Sequence, residues 1–150
     1  MDDQSGKAEG LLPAGATSGC APSLTWEVCG LLPAAASVGA ARRQAHDVLD
    51  IWSPGGDLRE DDALLLLDEL AANAVRHAHT PFTVTLRLDK DALRGAVLDH
   101  NPRPPVLRTP ALEDLGGRGM QMVAVLADRW GVDQHDGDGK TVWFEIDTNT

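Results

Sequence analysis

LLLLDELAANAVRHA, residues 64–78, sets a carboxylate and a carboxamide one helical turn apart: Glu69 and Asn73 are i and i+4 and share a helix face. At about 100° per residue, Leu67, Leu70, Ala71, Ala74 and Ala78 gather on one side, and Asp62, Glu69, Asn73 and Arg76 on the other. Most polar stripes of this kind simply face water. Here Leu65 and Leu66 flank the stripe, so its face is expected to be partly covered. A covered Glu and Asn need partners, and a bound ion or ligand is one way to supply them.

Outward from this helix the pattern is regular. Glu60, Asp61 and Asp62 stand where a helix start favours negative charge, and Pro81 stops the helix after about Ala78. Upstream, Val38, Ala41, Ala45, Val48, Leu49 and Trp52 form the stripe of a helix over 37–52 that ends at SPGG. Before it LTWEVCGL, 24–31, alternates as a strand. Downstream, PFTVTLRLD and LRGAVLDH are joined by a short Lys-Asp turn and read as a hairpin ending in Asp99. Residues 101–115 carry Pro102, Pro104, Pro105 and Pro110 without a period, the mark of a lid or a long connection. A third helix is expected over 120–126. Strands over 129–134 and 141–147 follow, around the turn DGDG at 136–139, with Val142, Phe144 and Ile146 sharing a face. The order β-α-α-β-β-α-β-β with short hairpin turns predicts an α/β two-layer sandwich, a mixed, largely antiparallel sheet with helices on one face. Residues 1–23, rich in Gly, Ala, Ser and Pro, read as a disordered N-terminal arm before one domain at 24–150.

Two further features carry chemistry. Gly116, Gly117 and Gly119 in GGRGMQMV let a ligand approach the main chain, and the helix that follows offers free N–H groups to a phosphate, with Arg118 adding charge. Such turns are also ordinary helix starts. Asp99 ends an apolar strand; its carboxylate only accepts hydrogen bonds, so it suits the exocyclic amine of adenine better than the carbonyl of guanine. A turn residue at a strand end is the commoner role. Together with Glu69 and Asn73, these residues suggest a site for a magnesium nucleotide.

With 13 basic and 23 acidic residues the formal net charge is −10, which argues against nucleic acid as a partner. Cys20 and Cys29 read as reduced thiols. TSGC at 17–20 lacks the basic start and apolar run of a lipoprotein leader, and no run reaches the ~18 apolar residues of a membrane span. The expected address is the cytoplasm, with no membrane association.

These residues, in this order, resemble the GHKL ATPases, the ATP-binding fold shared by gyrase B, Hsp90, sensor histidine kinases and MutL. DELAANAVRHA at 68–78 looks like the family's N box, LDHN at 98–101 stands at its aspartate-glycine box, and GGRGMQMV resembles its second glycine box. The ending RWGV…GKTVWFEI and the small size are most similar to short actinobacterial anti-sigma-factor serine/threonine kinases. The resemblance covers about residues 24–147. It implies ATP and Mg²⁺ as cofactors. Glu69 would be the general base, Asn73 the Mg²⁺ ligand, and Asp99 the adenine acceptor supported by Thr141. Gly117, Arg118 and Gly119 would hold phosphates under a lid. It further implies a sigma factor and its antagonist protein as partners, phosphotransfer to a Ser or Thr of that antagonist, and homodimerisation, although no stripe marks a dimer face.

One departure stands out: Asp99 is followed by His100, Asn101, Pro102 and Arg103, where the family usually carries Asp-x-Gly-x-Gly. That leaves open a nucleotide-binding interaction module without phosphotransfer. A piece of a sensor histidine kinase, with His46 as a weak phospho-acceptor candidate, and a scaffold that binds no nucleotide are further alternatives.

Overall fold

The structure, a computed structural model, describes residues 23–56, 58–101 and 118–148, with 118–120 as backbone only. The expected arm, the glycines Gly116 and Gly117, and all of the expected lid except Asn101 lie outside the described residues. The elements run β1 (Leu24–Leu31), α1 (Ala35–Trp52), α2 (Glu60–His77), β2 (Phe82–Leu88), β3 (Ala92–Asp99), α3 (Arg118–Leu126), β4 (Arg129–His135) and β5 (Gly139–Asp147). The sheet has the order β1-β2-β3-β5-β4, and every pairing is antiparallel. The helices pack on one face of it, which makes the two-layer α/β sandwich expected from the element order.

Strand alternation builds the covered face. Phe82, Val84 and Leu86 of β2, Leu93 and Val97 of β3, and Val142, Phe144 and Ile146 of β5 point toward the helices and are buried. Burying a large side chain of this kind is worth about 1.5–3 kcal/mol. Gly95, opposite Phe144, leaves room for that ring: a Cβ there would lie 2.3 Å from Phe144 Cζ. On the other face Arg94 lies over the Trp143 ring, 4.4 Å from its centroid, and Arg129 pairs with Glu145 and Asp147. The β2–β3 turn is closed by Asp89 Oδ1, which accepts from the N–H groups of Asp91 and Ala92.

Helix α2 is the keystone, packed between α1 and α3 and against β2, β3 and β5. Its buried residues run from Asn73 through Leu66, Leu70, Ala63, Ala74, Leu67 and Ala71 to Leu64, about half the circumference at 100° per residue. The covered arc is thus wider than the sequence stripe, because a helix with a neighbour on each side is covered on its flanks as well. Helix α1 meets α2 through Ala41, Ala45 and Leu49. It starts two residues before Ser37, since Ala35 and Ala36 are strong helix formers that carry no periodic signal. No helix among the described residues is long and apolar enough to cross a membrane.

Candidate nucleotide site

The edge of the buried arc of α2 is where the chemistry lies. Asn73 is 2% exposed, and its Oδ1 is fully buried with no hydrogen-bond partner. Such an oxygen costs free energy unless something donates to it or coordinates it, on the order of 1–3 kcal/mol. One turn earlier Glu69, half-buried, borders the same edge and makes no hydrogen bond or ion pair among the described residues. Its neighbour Asp68 is occupied: Arg42 of α1 approaches it to 3.4 Å. Burial raises the Asp68 carboxyl above its ordinary value, Arg42 offsets this, and the Glu69 charge adds to the rise. Of the two adjacent acids, only Glu69 is left beside Asn73.

Two bonds across the strand end tie the last turn of α2 to β3. The His100 N–H donates to Thr80 Oγ1 at 3.0 Å, and Asn101 Nδ2 donates to the Ala78 carbonyl at 3.4 Å. Asp99 sits at this junction, 2% exposed. Its Oδ1 accepts the Asn101 N–H at 3.1 Å, so the aspartate closes its own turn at the point where family members carry glycines. Its Oδ2 accepts from Lys140 Nζ at 2.6 Å. Directly before that lysine, Gly139 adopts φ +105°, and a Cβ on it would lie 2.0 Å from the Asp99 carbonyl oxygen. Only glycine fits so close a backbone approach.

Lys140 was missed from the sequence, where Thr141 was expected beside the aspartate. The register decides between them. Asp99 pairs with Lys140, while Thr141 pairs with Leu98 and therefore points to the face away from the helices. There its hydroxyl meets His135 Nε2 at 2.7 Å. The signal was present in the strand: if Val142, Phe144 and Ile146 face inward, alternation puts Lys140 inward too.

Other cations surround this end of α2. Desolvation holds the His77 imidazole below its ordinary value of 6.5, and the charges of Arg76, Lys140 and His79 push the same way. His46, by contrast, is exposed on α1 and faces Asp47 and Asp50 at 3.7 Å. Arg118 and Gly119 form the first turn of α3, two residues earlier than the expected start, and their backbone N–H groups stand at a helix N-terminus.

The donor set suits a magnesium nucleotide. An uncommitted, buried carboxamide oxygen is a hard ligand of the type Mg²⁺ takes, with phosphate oxygens completing its shell. Glu69, at the border of the covered arc, is accessible to a hydroxyl or water and can take its proton. The structure thus brings Glu69 and Asn73 together on one edge of α2 and packs that helix against the strand of Asp99, while turning Thr141 away.

Comparison with known proteins agrees with this geometry. No curated protein matches the chain. Among solved structures, the histidine kinase domain of the blue-light activated histidine kinase from Erythrobacter litoralis EL346 is similar, with 19% identity and a TM-score of 0.48. That match covers 76% of this chain and 60% of the other. A family model described as "Histidine kinase-like ATPase domain" matches residues 31–146, most of the chain and every site residue above, and the chain belongs to that family.

Proposed function

We propose that this ATPase-family domain is a protein serine/threonine kinase of the anti-sigma-factor type, acting on an antagonist protein in a partner switch that controls transcription. The observation that carries the reading is the partnerless Asn73 Oδ1 one turn from an uncommitted Glu69. A site that only bound nucleotide would need the first and not the second. Asn73 would ligate the metal, whose charge neutralises the phosphates. Gly117, Arg118 and Gly119, at the start of α3, would cradle those phosphates. Asp99 would face the base. Glu69 would accept the proton of the attacking Ser or Thr hydroxyl. Unphosphorylated, the antagonist would release a sigma factor from this protein. Such a kinase works in the cytoplasm, where Mg-ATP and sigma factors are found, and homodimerisation is part of the same reading.

A second reading, a nucleotide-binding interaction module without phosphotransfer, is favoured by the strand end. Asp99 is engaged by Asn101 and Lys140, in place of the open glycine turn of the family. Two measurements separate these. The first is a thermal melt with and without Mg-ATP on the wild type and Asp99→Ala. Ligand at ~100 times its dissociation constant adds about 2.7 kcal/mol, and the stabilisation should shrink in the variant; no shift in the wild type would end both readings. The second is phosphotransfer to candidate antagonists with Glu69→Gln. Under the kinase reading transfer is lost while nucleotide and partner binding survive. A wild type that binds ATP and antagonist yet transfers no phosphate leaves the module.

A further inference from the structure

We propose that Lys140 is a specificity determinant of the base pocket: held on Asp99, it turns a lone acceptor into an acceptor–donor pair that takes a guanine edge as well as an adenine edge. This rests on the nucleotide-binding reading given above.

The pair is built into the sheet. Lys140 and Asp99 are register partners on β5 and β3 and share the helix-facing side. The ammonium lies 2.6 Å from Oδ2, with 19% of the lysine side chain and 3% of the aspartate side chain exposed. Gly139 presses the backbone that carries Lys140 against the Asp99 carbonyl, so the lysine cannot retreat without opening the β3–β5 ladder. Pulling the ammonium away would leave a buried carboxylate uncompensated, which is strongly destabilising. The cation therefore stays at the pocket when a ligand enters.

The consequence follows from donor and acceptor counting. A lone carboxylate accepts from the N6 amine of adenine and repels the O6 carbonyl of guanine, because two acceptors then face each other. An ammonium carries three donors, and one is spent on Asp99. Adenine offers its N6 amine to Asp99 and its N1 lone pair to Lys140. Guanine offers its N1–H to Asp99 and its O6 to Lys140. In both rings the donor and acceptor are neighbours on one edge, so one carboxylate–ammonium pair meets either purine. The repulsion by which a carboxylate alone excludes a 6-oxo purine is cancelled.

The test is calorimetric titration of the full chain with Mg-ATP and Mg-GTP, on the wild type, Lys140→Met and Lys140→Arg, with circular dichroism melts to verify folding. The wild type is expected to bind the two nucleotides within about tenfold of each other, a difference of 1.4 kcal/mol. Lys140→Met should keep ATP and weaken GTP by about tenfold or more, and Lys140→Arg should restore GTP. A wild-type preference for ATP beyond about tenfold overturns the inference while leaving the nucleotide site intact. Equal weakening of both nucleotides in a folded Lys140→Met also overturns it. If neither nucleotide binds the wild type, the nucleotide reading fails and this inference fails with it. Should Lys140→Met not fold, the wild-type ratio and the arginine variant still decide.

Discussion

Asn73 separates stability from function at a single oxygen. Because Oδ1 is buried without a partner, the folded protein carries its desolvation cost, on the order of 1–3 kcal/mol. Asn73→Leu removes that oxygen at similar volume. The unliganded variant is therefore expected to be as stable as the wild type or up to about 2 kcal/mol more stable, while stabilisation by Mg-ATP disappears. Urea melts with and without Mg-ATP measure both quantities. A less stable unliganded protein would mean that Asn73 serves the core instead. This residue was legible in the sequence because helical spacing is rigid: Glu69 and Asn73 must share a face wherever the helix packs. Asp99 was legible as a polar end to an apolar strand. Lys140 was not, although the inward set Val142, Phe144 and Ile146 implied it, because the family resemblance directed attention one residue on, to Thr141. Strand alternation was the better guide.

At the scale of elements, Arg59 joins two helices that the sequence left unrelated. It precedes α2 in a left-handed conformation, φ 50°, uncommon for a long side chain. From there its guanidinium donates to the Leu126 carbonyl at the end of α3 at 3.0 Å and reaches Asp62 and Asp128. The clamp thus closes the C-terminus of α3, where unpaired carbonyls collect. Arg59→Asn tolerates the same backbone and removes the clamp. It is expected to cost about 1 kcal/mol, discounted for exposure, and to speed amide exchange in α3 while leaving α2 unchanged. Equal acceleration in both helices would show that Arg59 supports α2 itself. Nothing in the sequence marks this bond, since Arg59 and Leu126 are far apart along the chain. The elements themselves were legible, because β2, β3 and β5 alternate cleanly and their turns carry the residues that tight turns require. The misses fell at helix starts, where Ala35 and Arg118 extend a helix without adding to its apolar stripe.

Across the whole molecule, cohesion is uneven in a way that serves the site. Helix α2 contributes eight buried residues, among them Leu66, Leu67 and Leu70, and lies on the three strands β2, β3 and β5. Helix α3, by contrast, has Val123 fully buried and Leu126 partly so, with Met122 and Val125 exposed. A helix held by so few apolar contacts opens at lower free energy than the core it rests on. It is also the helix whose first turn would meet phosphates, so nucleotide would add contacts where the fold has few. In native-state hydrogen exchange without ligand, the α3 amides should therefore exchange well before those of α2 and β3. Mg-ATP should slow α3 by a larger factor than any other element, because binding free energy raises local opening only where the open form loses the ligand. A uniform slowing would instead mean that the ligand is lost only on global unfolding, and that α3 belongs to the same cooperative unit as the core. Strong α3 protection already present in the free protein would defeat the argument at its first step, since the few buried side chains of α3 would then not measure its hold on the sheet.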